Sequence, residues 1–445
     1  MTDVPAATPG PRAATGRPTT RLPNRELIRI SLYWLGLSSI FAGLSFIMQS
    51  RLEFTGLVDK AYSGRALFFI SISGAIIAVI IQPTIGSISD YTVSRWGRRK
   101  PYILIGSILD LVFLIGIASS STLIAIAAFI ALLQFSSNFA QGPFQGYVPD
   151  LIPAPQVGTA SALVGLMQVL GNVSGFVIAA IATTTHRYDL GLVALGVLEL
   201  VTMLSVVIRV REGPPPKSRE GRPWRSIAAE AWGTDILRER SFLWLVASRL
   251  AILMSGGVLT NLASFYLART MGLNEHDTGL VFIPMVGLVA IGTVASVMPA
   301  ARASDRIGRK PVIWASCAMG AVGLGIVASA PNLALAFLGT LLYGISAGTF
   351  LAVDWALMTD IIPKASSGRY MGLSNVATAS SGVLAIATGG TLMDIVGGPT
   401  SDGSGPRAAL WMAVVLMGVG AVLLRPVDER RREDLSLAAA AVAVT

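Results

Sequence analysis

Three charged side chains, Asp110, Glu199 and Arg249, interrupt long apolar runs of this 445-residue chain. An ionisable group in such a run is costly to bury, so it marks a proton relay, an ion pair or the path of a polar solute. Asp110 lies nine residues past Pro101, Glu199 ten before Arg209 and Arg249 seven past Phe242. At a helical rise of about 1.5 Å per residue, all three reach depths of roughly 10 to 15 Å. The carboxyls suit either a transported proton or a hydrogen-bonded structural role. Arg249 suits solute binding, pairing with a carboxylate or snorkelling to headgroups. Uncharged groups complete a candidate solute site: Tyr33, Trp34, Gln49, Gln134, Asn138, Gln141, Asn261 and Tyr343, with Gln168, Asn172 and Asn375 beside them. Paired amide donors and acceptors next to aromatic faces fit a hydroxyl-rich molecule. Taken singly, each also serves as an interhelical hydrogen bond.

The elements that position these residues follow from composition. Hydrophobic residues make up 53% of the chain and charged residues only 13%, about half the charged share of soluble domains. The apolar runs are continuous and long enough for spans of roughly 20 residues, so they are helices and not barrel strands. Twelve spans are expected, centred on 28–49, 66–88, 101–119, 122–144, 158–184, 190–210, 242–268, 278–300, 311–329, 332–358, 369–390 and 407–425. The fold class is therefore all-α and polytopic, in two six-helix halves (28–210 and 242–425). A tail (1–27) rich in Pro, Ala, Thr and Arg reads as disordered and cytoplasmic, and 426–445 forms a second cytoplasmic tail. The connection 211–241 carries an apolar stripe from Trp224 to Ile236, which suits an amphipathic helix on a membrane surface or on the bundle. With both termini inside, 27 of the 34 Lys and Arg fall on the inner side, which predicts an inner-membrane protein with both ends cytoplasmic. The net charge of +9 thus reflects the bilayer and not nucleic acid. Cys317 is alone, so no internal disulfide forms. His186 and His276 fall in outer loops. There is neither a phosphate-binding loop nor a metal-ligand cluster, which argues against an enzyme, an ATP-driven pump and any bound cofactor; a proton gradient remains as a driving force.

The halves repeat. Asp150-Leu-Ile-Pro153 with Gly158 recurs as Asp360-Ile-Ile-Pro363 with Gly368, 210 residues on; Ser89-Asp90 recurs as Ser304-Asp305, 215 on. The second span runs into Gly86-Ser-Ile-Ser-Asp90 and then Arg95-Trp-Gly97-Arg98-Arg99-Lys100-Pro101. Its copy is Asp305-Arg306-Ile-Gly308-Arg309-Lys310-Pro311. Gly86 allows close helix approach, and Asp90 suits capping of a neighbouring helix N-terminus. The arginines suit pairing with Asp150 and Asp360, a charge lock on the cytoplasmic side. The alternative is plain positive-inside anchoring. Asp354, near the inner end of the tenth span, is expected as a gate charge.

These loops resemble the signature of major facilitator transporters, in which parallel six-helix repeats hold a solute between them. The stretch Gln82-Pro83 to Gly86, Ser94-Arg95-Trp96-Gly97-Arg98-Arg99-Lys100-Pro101-Tyr102 and Leu132-Leu133-Gln134-Phe135-Ser136-Ser137-Asn138 is similar to the sucrose-transporter family. That family is allied to the glycoside–pentoside–hexuronide cation symporters. The resemblance covers about residues 65–175 and implies alternating-access transport of a sugar or glycoside by a monomer in the lipid bilayer, with proton coupling one option. Two positions depart from the family's pattern: Gln134 stands where plant members carry an Asp tied to proton coupling, and Gln145 where they carry an Arg. The melibiose-type sodium site has no counterpart. A facilitator or exporter of another small organic solute, drug or metabolite, is the alternative reading.

Overall fold

The computed structural model describes residues 20–210, 212, 221, 223, 240–361, 378, 380–398 and 402–428. The stripe at 224–236, Asn375, the side chain of Asp360 and most of both tails lie outside the described residues. Among the described residues, twelve helices are long and apolar enough to cross a membrane. They are α1 (Asn24–Phe54), α2 (Ser63–Ser89), α3 (Lys100–Ser119), α4 (Leu123–Gln145), α5 (Val157–Thr184) and α6 (Tyr188–Arg209) in the first half. The second half holds α7 (Arg240–Asn261), α8 (Glu275–Ile307), α9 (Arg309–Ser329), α10 (Leu333–Ile361), α11 (Ser380–Gly397) and α12 (Ser404–Leu423). An even number of crossings puts the start of α1 and the end of α12 on one face, the termini face; the other is the distal face.

Local chemistry sets the ends. α1 starts at Asn24, inside the stretch expected to be tail, and runs to Phe54. Pro23 precedes it in extended backbone, Glu26 pairs with Arg29, and Leu27 and Ile30 are buried, so the extra turn has both a start signal and a core. Thr122 caps α4 through the Ala125 N–H, and Asn274 caps α8 through that of Asp277. Gly97 and Gly308, the glycines of the two repeated loops, have φ of 113° and 93°. Such backbone excludes most L side chains, so both loops make the same sharp entry into α3 and α9. Among the described residues, one π-helical segment follows α7 at Tyr266–Thr270 and another interrupts the distal part of α11 at Ile386–Gly390.

The halves meet through α1 with α7, α2 with α11, and α5 with α8, while α4 packs on α2 and α3 and α10 packs on α8 and α9. Ser45 bonds Asn261 and Glu53 pairs with Arg269, and each pair is separated by 216 residues. Equivalent positions of the two repeats thus touch across a pseudo-two-fold axis. The flanking contacts obey the same symmetry. A Cβ on Gly64 would lie 2.2 Å from Gly390 O, and one on Gly279 would lie 2.5 Å from Ala180 O. Gly279 follows Gly64 by 215 residues and Gly390 follows Ala180 by 210, the offsets of the sequence repeat. Phe46 of α1 stacks on Phe282 of α8 at 3.7 Å, with Phe176 of α5 edge-on, closing the apolar part of the junction.

A side chain at Gly64 has to push two helix backbones apart, whereas Gly287 of α8 has open space around it. Gly64→Ala is expected to cost about 1–3 kcal/mol as overpacking, and Gly287→Ala to be neutral or slightly stabilising through helix propensity. Thermal unfolding in detergent, read by intrinsic tryptophan fluorescence, checks this ordering.

Candidate functional site

Four helices of the first half converge on a sealed polar cluster. Tyr33 (α1), Ser107 and Asp110 (α3), Ser136 and Ser137 (α4) and Glu199 (α6) are all fully buried. Tyr33 Oη donates to Glu199 Oε1 at 2.8 Å, as does Ser107 Oγ at 2.9 Å. Ser136 Oγ donates to Asp110 Oδ1, and Ser137 Oγ to Oδ2 at 2.8 Å. The Asp110 and Glu199 carboxyls contact each other side chain to side chain. Tyr33 therefore belongs to this cluster and not to a solute-facing wall. The serines were not singled out in the sequence, although Ser136 and Ser137 stand within its transporter-like stretch.

In the second half, Arg249 Nη1 of α7 lies 3.2 Å from Asp354 Oδ2 of α10, with both side chains buried. Arg249 also contacts Met358 Sδ at 3.6 Å. The Tyr343 hydroxyl lies over Gly256, where a Cβ would come within 2.0 Å of it. On α4, Asn138 Nδ2 bonds back to Gln134 O at 2.8 Å and Oε1 at 3.2 Å, and the Gln134 stem packs on Gly74 of α2. Gln134, Gln141, Trp34 and Tyr343 are half-buried, and Trp34 leans on Phe144 at 5.8 Å.

The repeated loops act inside each half. Arg98 pairs with Asp150, and Arg99 Nη2 reaches Asp150 at 2.8 Å and Asp90 at 2.6 Å. Arg99 Nη1 also donates to Pro143 O at 2.6 Å, its guanidinium lying across Gly146. A Cβ on Gly142 would come 2.3 Å from Gln82 O, and Gly86 packs on Gly142. The glycine expected to bring helices together does so at the α2–α4 crossing. Capping differs from expectation. The N–H groups of Arg98, Arg99 and Lys100 at the start of α3 go to the Glu212 carboxylate, which Tyr147 also bonds, so Asp90 pairs with Arg99 and leaves that cap to Glu212. Burial and Glu212 push the Tyr147 hydroxyl well above its usual range, keeping it a donor. In the second copy Arg309 reaches Asp305 at 2.7 Å and Ser304 Oγ at 2.6 Å. Arg95 and Arg306 are exposed.

At the distal face, polar bonds stitch the halves together. Gln49 is fully buried, donating to Thr260 O at 3.1 Å and accepting from Ser264 N at 3.1 Å. Asn261 accepts from Ser45 Oγ at 2.7 Å. These two residues, expected on a solute wall, spend their hydrogen bonds on the α1–α7 junction. Arg269 pairs with buried Glu53 at 2.6 Å and donates to Ser63 Oγ at 2.6 Å, and Lys60 reaches Glu53 at 3.0 Å. Asp394 of α11 accepts from Gly64 N at 3.0 Å and Arg65 N at 2.9 Å, capping α2 from the other half. Tyr188 and His186 both reach Glu275. Glu53, Arg269 and Asp394 escaped sequence reasoning because each sits at a span end, where charge is ordinary. Arg269→Ala would leave Glu53 buried beside Lys60 alone and is expected to cost about 3–5 kcal/mol. Adding Glu53→Gln should recover most of that loss, and chemical unfolding of the single and double variants measures both.

A family profile described as MFS/sugar transport protein matches residues 57–427. Sucrose transport protein SUT1 of Oryza sativa subsp. japonica is 29% identical over 172 residues, 33% of this chain and 32% of the relative. Proton-associated sugar transporter A of Homo sapiens is 30% identical over 172 residues, 35% of this chain and 22% of the relative. The matches to these curated relatives thus span about a third of their length or less. Among solved structures, a D-xylose-proton symporter superposes with a TM-score of 0.67 at 17% identity, covering 89% of this chain and 96% of that one. A bacterial homologue of the human lysosomal transporter Spinster does so with 0.69 at 13%, covering 90% and 96%. At such identities the likeness is one of fold. The family profile covers most of the chain, and the twelve-helix protein belongs to the MFS/sugar transport protein family.

Proposed function

We propose that the chain is an alternating-access carrier for a neutral, hydroxyl-rich solute such as a sugar or glycoside, held between α1, α4, α7 and α10. The observation that carries this reading is the cancelled charge at the half-interface. Arg249, the one cation placed within a span by the sequence, is matched by Asp354. The half-buried groups Trp34, Gln134 and Gln141 of the first half are uncharged. A site of that kind offers amide and aromatic contacts without a net charge to attract an anion or a cation. The polar stitching between halves gathers at the distal face, while α4 and α10 pack within their own halves. This arrangement fits a carrier open towards its termini face. The excess of Lys and Arg on that face supports a cytoplasmic orientation, so the state is inward-open in a cell membrane.

Alternation then requires the distal stitching to part and the termini face to close. Asp150, Arg98 and Arg99 act in this reading as a rigid brace of the first half, presenting one preset surface to the other half in either state. Arg309 with Asp305 does the same in the second. The test is uptake of radiolabelled sucrose, maltose and D-xylose into proteoliposomes. Saturable uptake of at least one is expected, with the anionic sugar glucuronate failing to compete. Asp354→Asn, which takes one carboxylate charge away from Arg249, should lower neutral-sugar uptake by about tenfold, about 1.4 kcal/mol of transition-state binding, and let glucuronate compete. Folded protein that moves none of the sugars would overturn the sugar reading.

A further inference from the structure

We infer that Asp110 and Glu199 share a single proton and that this pair is the point at which proton binding acts on the carrier. The inference rests on the transport reading for its purpose and on geometry for its existence. Both carboxyls are fully buried and touch each other. Asp110 accepts from Ser136 and Ser137 through its two oxygens, and Glu199 Oε1 accepts from Tyr33 and Ser107. Glu199 Oε2 is buried with no donor among the described residues. A proton held between the two acids supplies that missing bond.

Charge leads to the same place. Among the described residues, no cation of the helices packed around the pair forms an ion pair with either acid. α4 and α5 contain no Asp, Glu, Lys, Arg or His. The other charged residues of α1 (Arg25, Glu26, Arg29, Arg51, Glu53), α3 (Lys100) and α6 (Asp189, Arg209) lie near the helix ends. Tyr33 is the one further titratable group facing the pair, and it donates to Glu199. Two ionised carboxylates buried together without a counter-ion among the described residues repel strongly, and one bound proton removes the repulsion.

Position gives the proton its leverage. Tyr33 belongs to α1 and Ser136 and Ser137 to α4, two helices of the proposed solute site; Asp110 and Glu199 belong to the supporting helices α3 and α6. The hydrogen bonds therefore tie the solute-facing pair to its support through the protonated acids. Losing the proton sets two like charges at that joint and favours a rearrangement in which water or separation relieves them. Proton occupancy accordingly stabilises the conformation described here. The pair also supplies a titratable site although position 134 is a glutamine.

The experiment needs no solute, so it separates this inference from the sugar reading. Val93 and Ile307 are 85% and 62% exposed, on the termini face in opposite halves. Spin labels at Val93→Cys and Ile307→Cys, in a Cys317→Ala background in lipid nanodiscs, report the opening by pulsed electron resonance. At about pH 5 one long distance is expected; at about pH 8 a shorter population should grow in the otherwise native protein. Glu199→Gln, which keeps hydrogen bonding but cannot ionise, should hold the long distance at both pH values, and Asp110→Asn should do the same if the first variant folds poorly. A distribution insensitive to pH in the native background would overturn the inference. So would a shift that persists in Glu199→Gln and disappears in His186→Gln/His276→Gln, which would move proton sensing to the distal face.

Discussion

Hydrocarbon offers no hydrogen bonds, so each polar group that enters it must find its partner within the protein. That constraint organises this molecule. The start of α2 is capped by Asp394 from the other half, and the start of α3 by Glu212 from beyond α6. Gln49 bridges the backbones of α1 and α7 at both ends of its amide. Arg249 and Asp354 neutralise one another, as do Arg269 and Glu53. A polar residue here is seldom spare, and its partner often lies on a different helix, where it defines how those helices sit.

The two faces use that economy differently. On the termini face the described ion pairs of Arg98 and Arg99 with Asp150 lie within the first half, and that of Arg309 with Asp305 within the second. They stiffen each half as a body. On the distal face the contacts of Glu53, Arg269 and Asp394 cross between bodies, alongside glycine contacts that bring backbones together at Gly64 and Gly390. Rigid halves joined at one end by polar bonds and small residues suit a rocking motion. Breaking such a junction exposes bonds that water can satisfy, and it leaves the apolar cores of the halves intact. The π-helical turns at Tyr266–Thr270 and Ile386–Gly390 fall in this same region, where helix register matters most.

Much of this was legible in the sequence. Span count, the repeated loops and the close approach at Gly86 follow from apolar run length and from short motifs whose chemistry is local. Asp110, Glu199 and Arg249 stood out because charge inside an apolar run is rare. Their partners did not. Pairing between Asp110 and Glu199 depends on the rotation of α3 and α6, which linear depth cannot supply. Gln49 and Asn261 were placed on a solute wall because amides suit hydroxyls, but amides suit neighbouring backbones equally well, and only packing chooses between them. Glu212 and Asp394 were invisible as caps because the N–H groups they satisfy lie far away in sequence. The symmetry between Gly64 with Gly390 and Gly279 with Ala180 was hidden because glycine is too common to align by eye.

The contacts between positions 216 residues apart carry a consequence for how such a chain is assembled. A surface that meets its own equivalent across a two-fold axis is the kind by which two identical six-helix proteins would dimerise. Here that self-complementarity has been lost: two first halves set face to face would bring Glu53 against Glu53, and two second halves Arg269 against Arg269. At this contact each half is complementary in charge to the other half and not to a copy of itself. The covalent connection between them therefore fixes stoichiometry, while the charges at the former self-contact fix which half is accepted.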